Sequence, residues 1–290
     1  MSKVGIVVDS SASIPEELIE EYDIKVAPLV AVFGDKTYRD IIDLKTPDEL
    51  FQLIDKSDKF PTSSAPPPTA YLEIYRQLSQ KVESIICITI SASLSMSFNS
   101  ASQAKETAKR ELPNVNIEIF DSRTTVGAMG FMALAAARAA ASGKDLTGVV
   151  EVAKETRSRA HMLFIMDTLA YLAKSGRIGK AAAWAVNMLS IKPIIEVSTS
   201  TGVVEPVTRV RTKAGAIKRL LEIVKQRTAN RGPLHMMVEH TSSPKEAEEL
   251  KQHVRGQFDC AELLLCEFNP VAAQITGPRM LGLSFYNEST

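Results

Sequence analysis

Short apolar runs alternate along this chain with segments in which apolar residues recur at helical spacing, which predicts an α/β fold. Val4–Val8 reads as a buried strand ending in Asp9-Ser10-Ser11-Ala12-Ser13. With Pro15, that stretch predicts a capped helix through Glu21. Further strands are expected at Ile24–Phe33, Ile85–Ile90 and Ile117–Phe120. Helices are expected at Pro47–Lys56, up to about Arg110, and to about Ala141. Strands that each end in a small polar loop feeding a helix imply a parallel sheet, and such sheets hold ligands beyond their carboxyl ends.

From about Leu146 the pattern changes. A helix to Arg159 leads to a strand at Met162–Met166, the loop Lys174–Lys180 and an apolar helix around Trp184. Strands at Lys192–Val197 and Val203–Val210 flank a turn at Ser198–Gly202, and a helix at Ala214–Arg227 follows. Strands at Leu234–Glu239 and Ala261–Glu267 enclose one more helix. The expected organisation is an N-terminal domain over residues 1–159 with a parallel sheet, and a smaller mixed α/β domain over 160–290.

Composition narrows the function classes. The 34 basic residues balance 34 acidic ones, and no Lys/Arg block of the kind that tracks nucleic acid is present. The longest apolar run, Val126–Ala137, is twelve residues, too short for a bilayer span, and Val4–Val8 is too short for a signal peptide. Cys87, Cys260 and Cys266 lack metal or redox spacing, which suits a reducing cytoplasm. His235 and His240 stand an odd number apart on a strand and so point to opposite faces, away from a shared metal. The chain has no G-x-S-x-G, G-x-x-x-x-G-K-[ST] or G-x-G-x-x-G motif. No cofactor is called for.

Two clusters carry candidate chemistry. Thr62-Ser63 precedes the proline run Pro66–Pro68, and serines stud the stretch Ser91–Ser102. Each places hydroxyls and backbone N–H groups before a segment that reads as a helix, where a carboxylate or phosphate is held well. Taken singly, Ser95 also reads as a plain N-cap, Thr62 as a cap or turn residue, and Arg177 as a loop-packing residue.

In register, these residues resemble the DegV family. The resemblance rests on V-D-S-S at Val8–Ser11, Thr62-Ser63 with its prolines, the loop Ser91-x-x-Leu94-Ser95-x-Ser97-Phe98, and Asp121-Ser122. It continues through Leu172-x-Lys174-x-Gly176-Arg177-Ile178, Lys192-Pro193-Ile194 and Thr276-Gly277-Pro278. It implies a two-domain fold with a three-layer α/β/α N-terminal part. It implies a bacterial, cytoplasmic carrier, not an enzyme, that encloses one long-chain fatty acid between its domains. It further implies presentation of the carboxylate to the catalytic protein of a fatty acid kinase, with at most transient membrane contact. By similarity, Thr62 and Ser95 hold the carboxylate and Arg177 supports the loop around it, with Ser63 and Thr276 beside them. Arg209 and Arg211 match a kinase-docking surface. Met96, Asn269 and Arg279 stand where the family carries glycine, and Ile275 where it carries histidine.

A fatty acid needs an apolar tunnel for its tail, and Met129, Met132, Met162, Met166 and Met188 are candidates for the lining. The alanine-rich segments Ala133–Ala141 and Ala181–Ala185 fit either a cavity or close helix packing. The competing expectation is a small-molecule hydrolase or transferase with Ser95 as nucleophile, which needs Asp9, Asp121 or a distant histidine as its base.

Overall fold

The computed structural model describes residues 4–187, 191–228 and 232–288. Met188, one of the candidate tunnel residues, lies outside them. Strands β1 (Val4–Asp9), β2 (Lys25–Ala27), β6 (Ser84–Thr89) and β7 (Asn116–Asp121) form an all-parallel sheet in the order β2-β1-β6-β7. Helices α3 (Pro68–Ser79) and α4 (Ser97–Glu111) cover one face, and α5 (Val126–Ala141) and α6 (Leu146–Arg159) the other. Burial on both faces explains the unbroken apolar runs of these strands.

The C-terminal part holds a six-stranded sheet ordered β10-β9-β8-β13-β11-β12. Its strands are β8 (His161–Ile165), β9 (Lys192–Val197), β10 (Val204–Val210), β11 (Leu234–His240), β12 (Cys260–Glu267) and β13 (Leu281–Asn287). Only β11 and β12 run parallel. Helices α8 (Lys213–Thr228) and α9 (Pro244–Arg255) cover its outer face, while α5 and α6 pack on its inner face. The two sheets thus share a middle helical layer, and one hydrophobic cluster runs from Val4 to Tyr286 through it. Helix α5 is apolar all round because it is sheet-covered on two sides. Its alanines serve close packing, and Met129 and Met132 are core residues.

A small antiparallel sheet, β4-β3-β5, was not foreseen. Its strands are β3 (Val30–Phe33), β4 (Lys36–Arg39) and β5 (Thr62–Ser64), and with α2 (Pro47–Asp55) and α10 (Pro270–Thr276) it encloses a separate core around Leu29, Leu50 and Val271. The expected strand Ile24–Phe33 is therefore two strands in different sheets, parted at Pro28-Leu29. Asp9–Ser13 is not a cap: α1 (Glu16–Glu21) starts after Pro15, and Asp9 ends β1 while Ser10, Ser11 and Ser13 are buried loop residues. The segment around Trp184 is a 3-10 stretch, Gly179–Asn187. Strand β13, the element between β8 and β11, was missed altogether. It is buried on both faces, so it shows no alternation, and Gly282 weakens its strand signal.

Candidate ligand-binding site

The loops that follow β1, β6 and β7 lie on the carboxyl edge of the parallel sheet, and they face β8, β9 and α10 across a cavity. Asp9 ties the first two loops together. Its buried carboxylate accepts the Ser11 N–H at 3.1 Å, the Ser11 hydroxyl at 2.5 Å and the Ile90 N–H at 2.8 Å. Burial raises its pKa, and these bonds oppose the rise. The serine loop is fixed to the other sheet as well, since the Ser91 hydroxyl donates to the Gly202 carbonyl at 2.7 Å. Gly202 has φ +76°, and a Cβ there would sit 2.5 Å from that same oxygen, so glycine is required twice over.

One end of the cavity is polar. Ser63, Ser64, Ser95 and Arg177 line it and also line an outer groove, so this end opens to the surface. Ser95 Oγ accepts the Ser97 N–H at 3.2 Å and lies 3.1 Å from Ser97 Oγ, at the start of the fifteen-residue helix α4. Arg177 is half-buried. Its Nε donates to the Leu94 carbonyl at 3.2 Å and its Nη1 to the Ser175 carbonyl at 2.8 Å. Burial lowers its pKa, and among the described residues no carboxylate lies within 4 Å of it. A half-buried guanidinium that meets only carbonyls favours an anion from outside the chain.

The other expected residues are placed as follows. Ile275 and Thr276 line the cavity, and the Thr276 hydroxyl is directed at the Ala272 carbonyl, 3.3 Å away. Thr62 is exposed on β5, opposite Val32, and does not line the cavity. Since β5 is a strand and α3 begins at Pro68, with Pro67 before it, the Thr62-Ser63 cluster is not a helix cap. Met96 is 61% exposed with φ −81°, and it lines the groove and not the cavity. Asn269 donates to the Ser10 carbonyl at 2.7 Å from an ordinary φ, whereas Arg279 keeps φ +59° and pairs with Asp167. Arg209 is exposed on the edge strand β10, its guanidinium 5.1 Å from the Trp184 ring, and Arg211 is exposed just beyond.

The rest of the wall is mostly apolar. Leu29, Ile90, Leu94, Met162, Phe164 and Phe268 contribute, together with Ile195, Val197 and Val204 from the β9-β10 hairpin. Glu196, the carboxylate-bearing residue of this wall, is held by Arg227 at 2.5 Å. Of the methionines proposed for the lining, Met162 is on the wall, while Met166 is core. Sequence reading missed Phe164, Phe268, Ile195 and Val197. The available signal was the alternation of inward positions on β8 and β9, which ordinary core residues share.

The family model for DegV, described as "Uncharacterised protein, DegV family", matches residues 3–288. The chain belongs to the DegV family. A DegV domain-containing protein of Clostridium acetobutylicum is 32% identical over 289 residues, covering 99% of this chain and 100% of its own. Among solved structures, a DegV family protein from Thermus thermophilus described as binding fatty acid superposes with a TM-score of 0.91 at 27% identity, covering 99% of this chain and 100% of its own. A stearic acid-binding protein from Eubacterium ventriosum gives 0.88 at 25%, covering 99% and 98%. The architecture of this DegV chain is that of those structures. Among its described residues, no helix is long and apolar enough to cross a membrane and no cluster of His, Cys, Asp or Glu has the make-up of a metal site.

Proposed function

We propose that this protein is a carrier that binds a long-chain fatty acid, holds its carboxylate at Ser63, Ser95 and Arg177, and encloses its tail between the parts 1–159 and 160–290. The observation that carries the reading is a guanidinium without a carboxylate partner beside the start of α4, at the mouth of a cavity whose other walls are mostly apolar. The fatty acid binding described for the Thermus and Eubacterium relatives supports it. The carboxylate stays at the end that opens to the groove, within reach of a second protein, and so the carrier presents it to the catalytic protein of a fatty acid kinase. Arg209, exposed on an edge strand, and Arg211, exposed just beyond it, are the proposed docking residues.

The nucleophile reading gains no support. The hydrogen-bond neighbours of the Ser95 hydroxyl are atoms of Ser97, while Asp9 is engaged by Ser11, Ile90 and the Ser97 hydroxyl, and Asp121 by the N–H groups of Ala92 and Arg123. Ser97 stands between Ser95 and Asp9, so no base touches the Ser95 hydroxyl directly, as an activated nucleophile requires.

Displacement of a fluorescent fatty acid tests the head-group assignment. Loss of a charge-assisted hydrogen bond in Ser95→Ala should weaken binding by about 10- to 150-fold, and Arg177→Ala should weaken it at least as much. Unchanged affinity in both variants would overturn the assignment. With a fatty acid kinase catalytic protein and ATP, the bound acid should become an acyl phosphate, and Arg209→Glu with Arg211→Glu should abolish that reaction while leaving binding intact.

A further inference from the structure

Gly282 and Phe164 are directly opposed residues of the antiparallel pair β13 and β8. Opposed residues share a face, and here it is the inner face, where Phe164 lines the cavity. A Cβ built on Gly282 would fall 1.9 Å from Phe164 Cδ1, 2.4 Å from Cε1 and 3.0 Å from the Leu163 carbonyl. The Cδ1–Cε1 edge of the ring therefore abuts the bare glycine. The glycine is not demanded by its backbone, because its φ is outside the left-handed range, so the requirement is space alone. On its other side the ring meets Phe268, another wall residue, edge to face at 5.4 Å. A methyl at 282 must displace this ring, and the open space beside it is the cavity it lines.

We propose that Gly282 sets the width of the acyl cavity through the Phe164 ring and thereby selects the length of chain the protein accepts. This rests on the fatty acid reading above. Real contacts to a Cβ essentially never fall below 3.0 Å, so Gly282→Ala requires the nearer ring carbon to retreat from 1.9 Å to at least that distance. Chain carbons that reach the ring lose that room, and chains too short to reach it lose nothing. Each methylene no longer housed should lower affinity by about fourfold.

The test compares wild type, Gly282→Ala, Phe164→Leu and the double variant. Displacement affinities are measured for saturated acids from fourteen to eighteen carbons, with thermal unfolding as a check of folding. The expected result is a shift of Gly282→Ala toward shorter acids by about fourfold per methylene, a shift of Phe164→Leu toward longer ones, and recovery of long-chain binding in the double variant. If Gly282→Ala does not fold, Phe164→Leu alone decides the matter. An unaltered length profile in the folded variants, or a loss equal at every length, overturns the inference while leaving fatty acid binding standing. Wild-type protein that binds none of the acids overturns the binding reading itself.

Discussion

Glu239 is fully buried on β11, and it accepts the Gly127 N–H at 2.8 Å and the Ser284 hydroxyl at 2.5 Å. It fastens the first turn of α5 to the C-terminal sheet, next to Val126, a cavity residue with φ +44°. Burial pushes its carboxyl up to about 7, against the pull of those bonds. A carboxyl raised on folding holds its proton longer in the native state than in the unfolded chain. Its contribution to stability is therefore greatest below about 4.5 and falls as pH climbs from there to about 7. Asp40, also raised to about 7 by burial, acts in the same direction. Glu239→Gln should remove the Glu239 share of this slope, seen as a smaller loss of stability between pH 5 and 7 in urea unfolding. A variant that tracks wild type through the window would contradict this. Nothing in the sequence marks Glu239, because its partner Gly127 is more than a hundred residues away. Ser95 stands out in the sequence because its serine cluster lies at the start of α4, whereas Ser63, which reads as part of a helix entrance, lies on strand β5, and Ser64 is not singled out.

At the scale of elements, α5 decides how closely the two sheets approach. A glycine inside a helix ordinarily costs about 1 kcal/mol relative to alanine. Gly130 reverses that rule, since a Cβ there would stand 2.2 Å from the Ser13 carbonyl of the buried loop after β1. Gly130→Ala should destabilise the protein by about 1–3 kcal/mol or more, as overpacking does, despite the better helix propensity. Thermal unfolding reads the sign, and a raised melting temperature would show that the loop yields without cost. Periodicity identified α5, the parallel strands and most C-terminal elements, because each carries its own pattern. It failed at β13, whose place is fixed by neighbours distant in sequence, and at Ile24–Phe33, where one apolar run serves two sheets.

Over the whole molecule, the middle helical layer belongs to both sheets, so the division at 159/160 is a change of sheet and not a gap in the core. That arrangement encloses the cavity. Its polar end comes mainly from the N-terminal part with Arg177 added, and its apolar wall comes from both parts. We propose that this space holds a long-chain fatty acid. Native mass spectrometry of the purified protein, followed by denaturing extraction and identification of the released lipid, tests it most directly. One free fatty acid per protein is the predicted result. Empty protein that also fails to take up long-chain fatty acids when they are supplied would contradict the account.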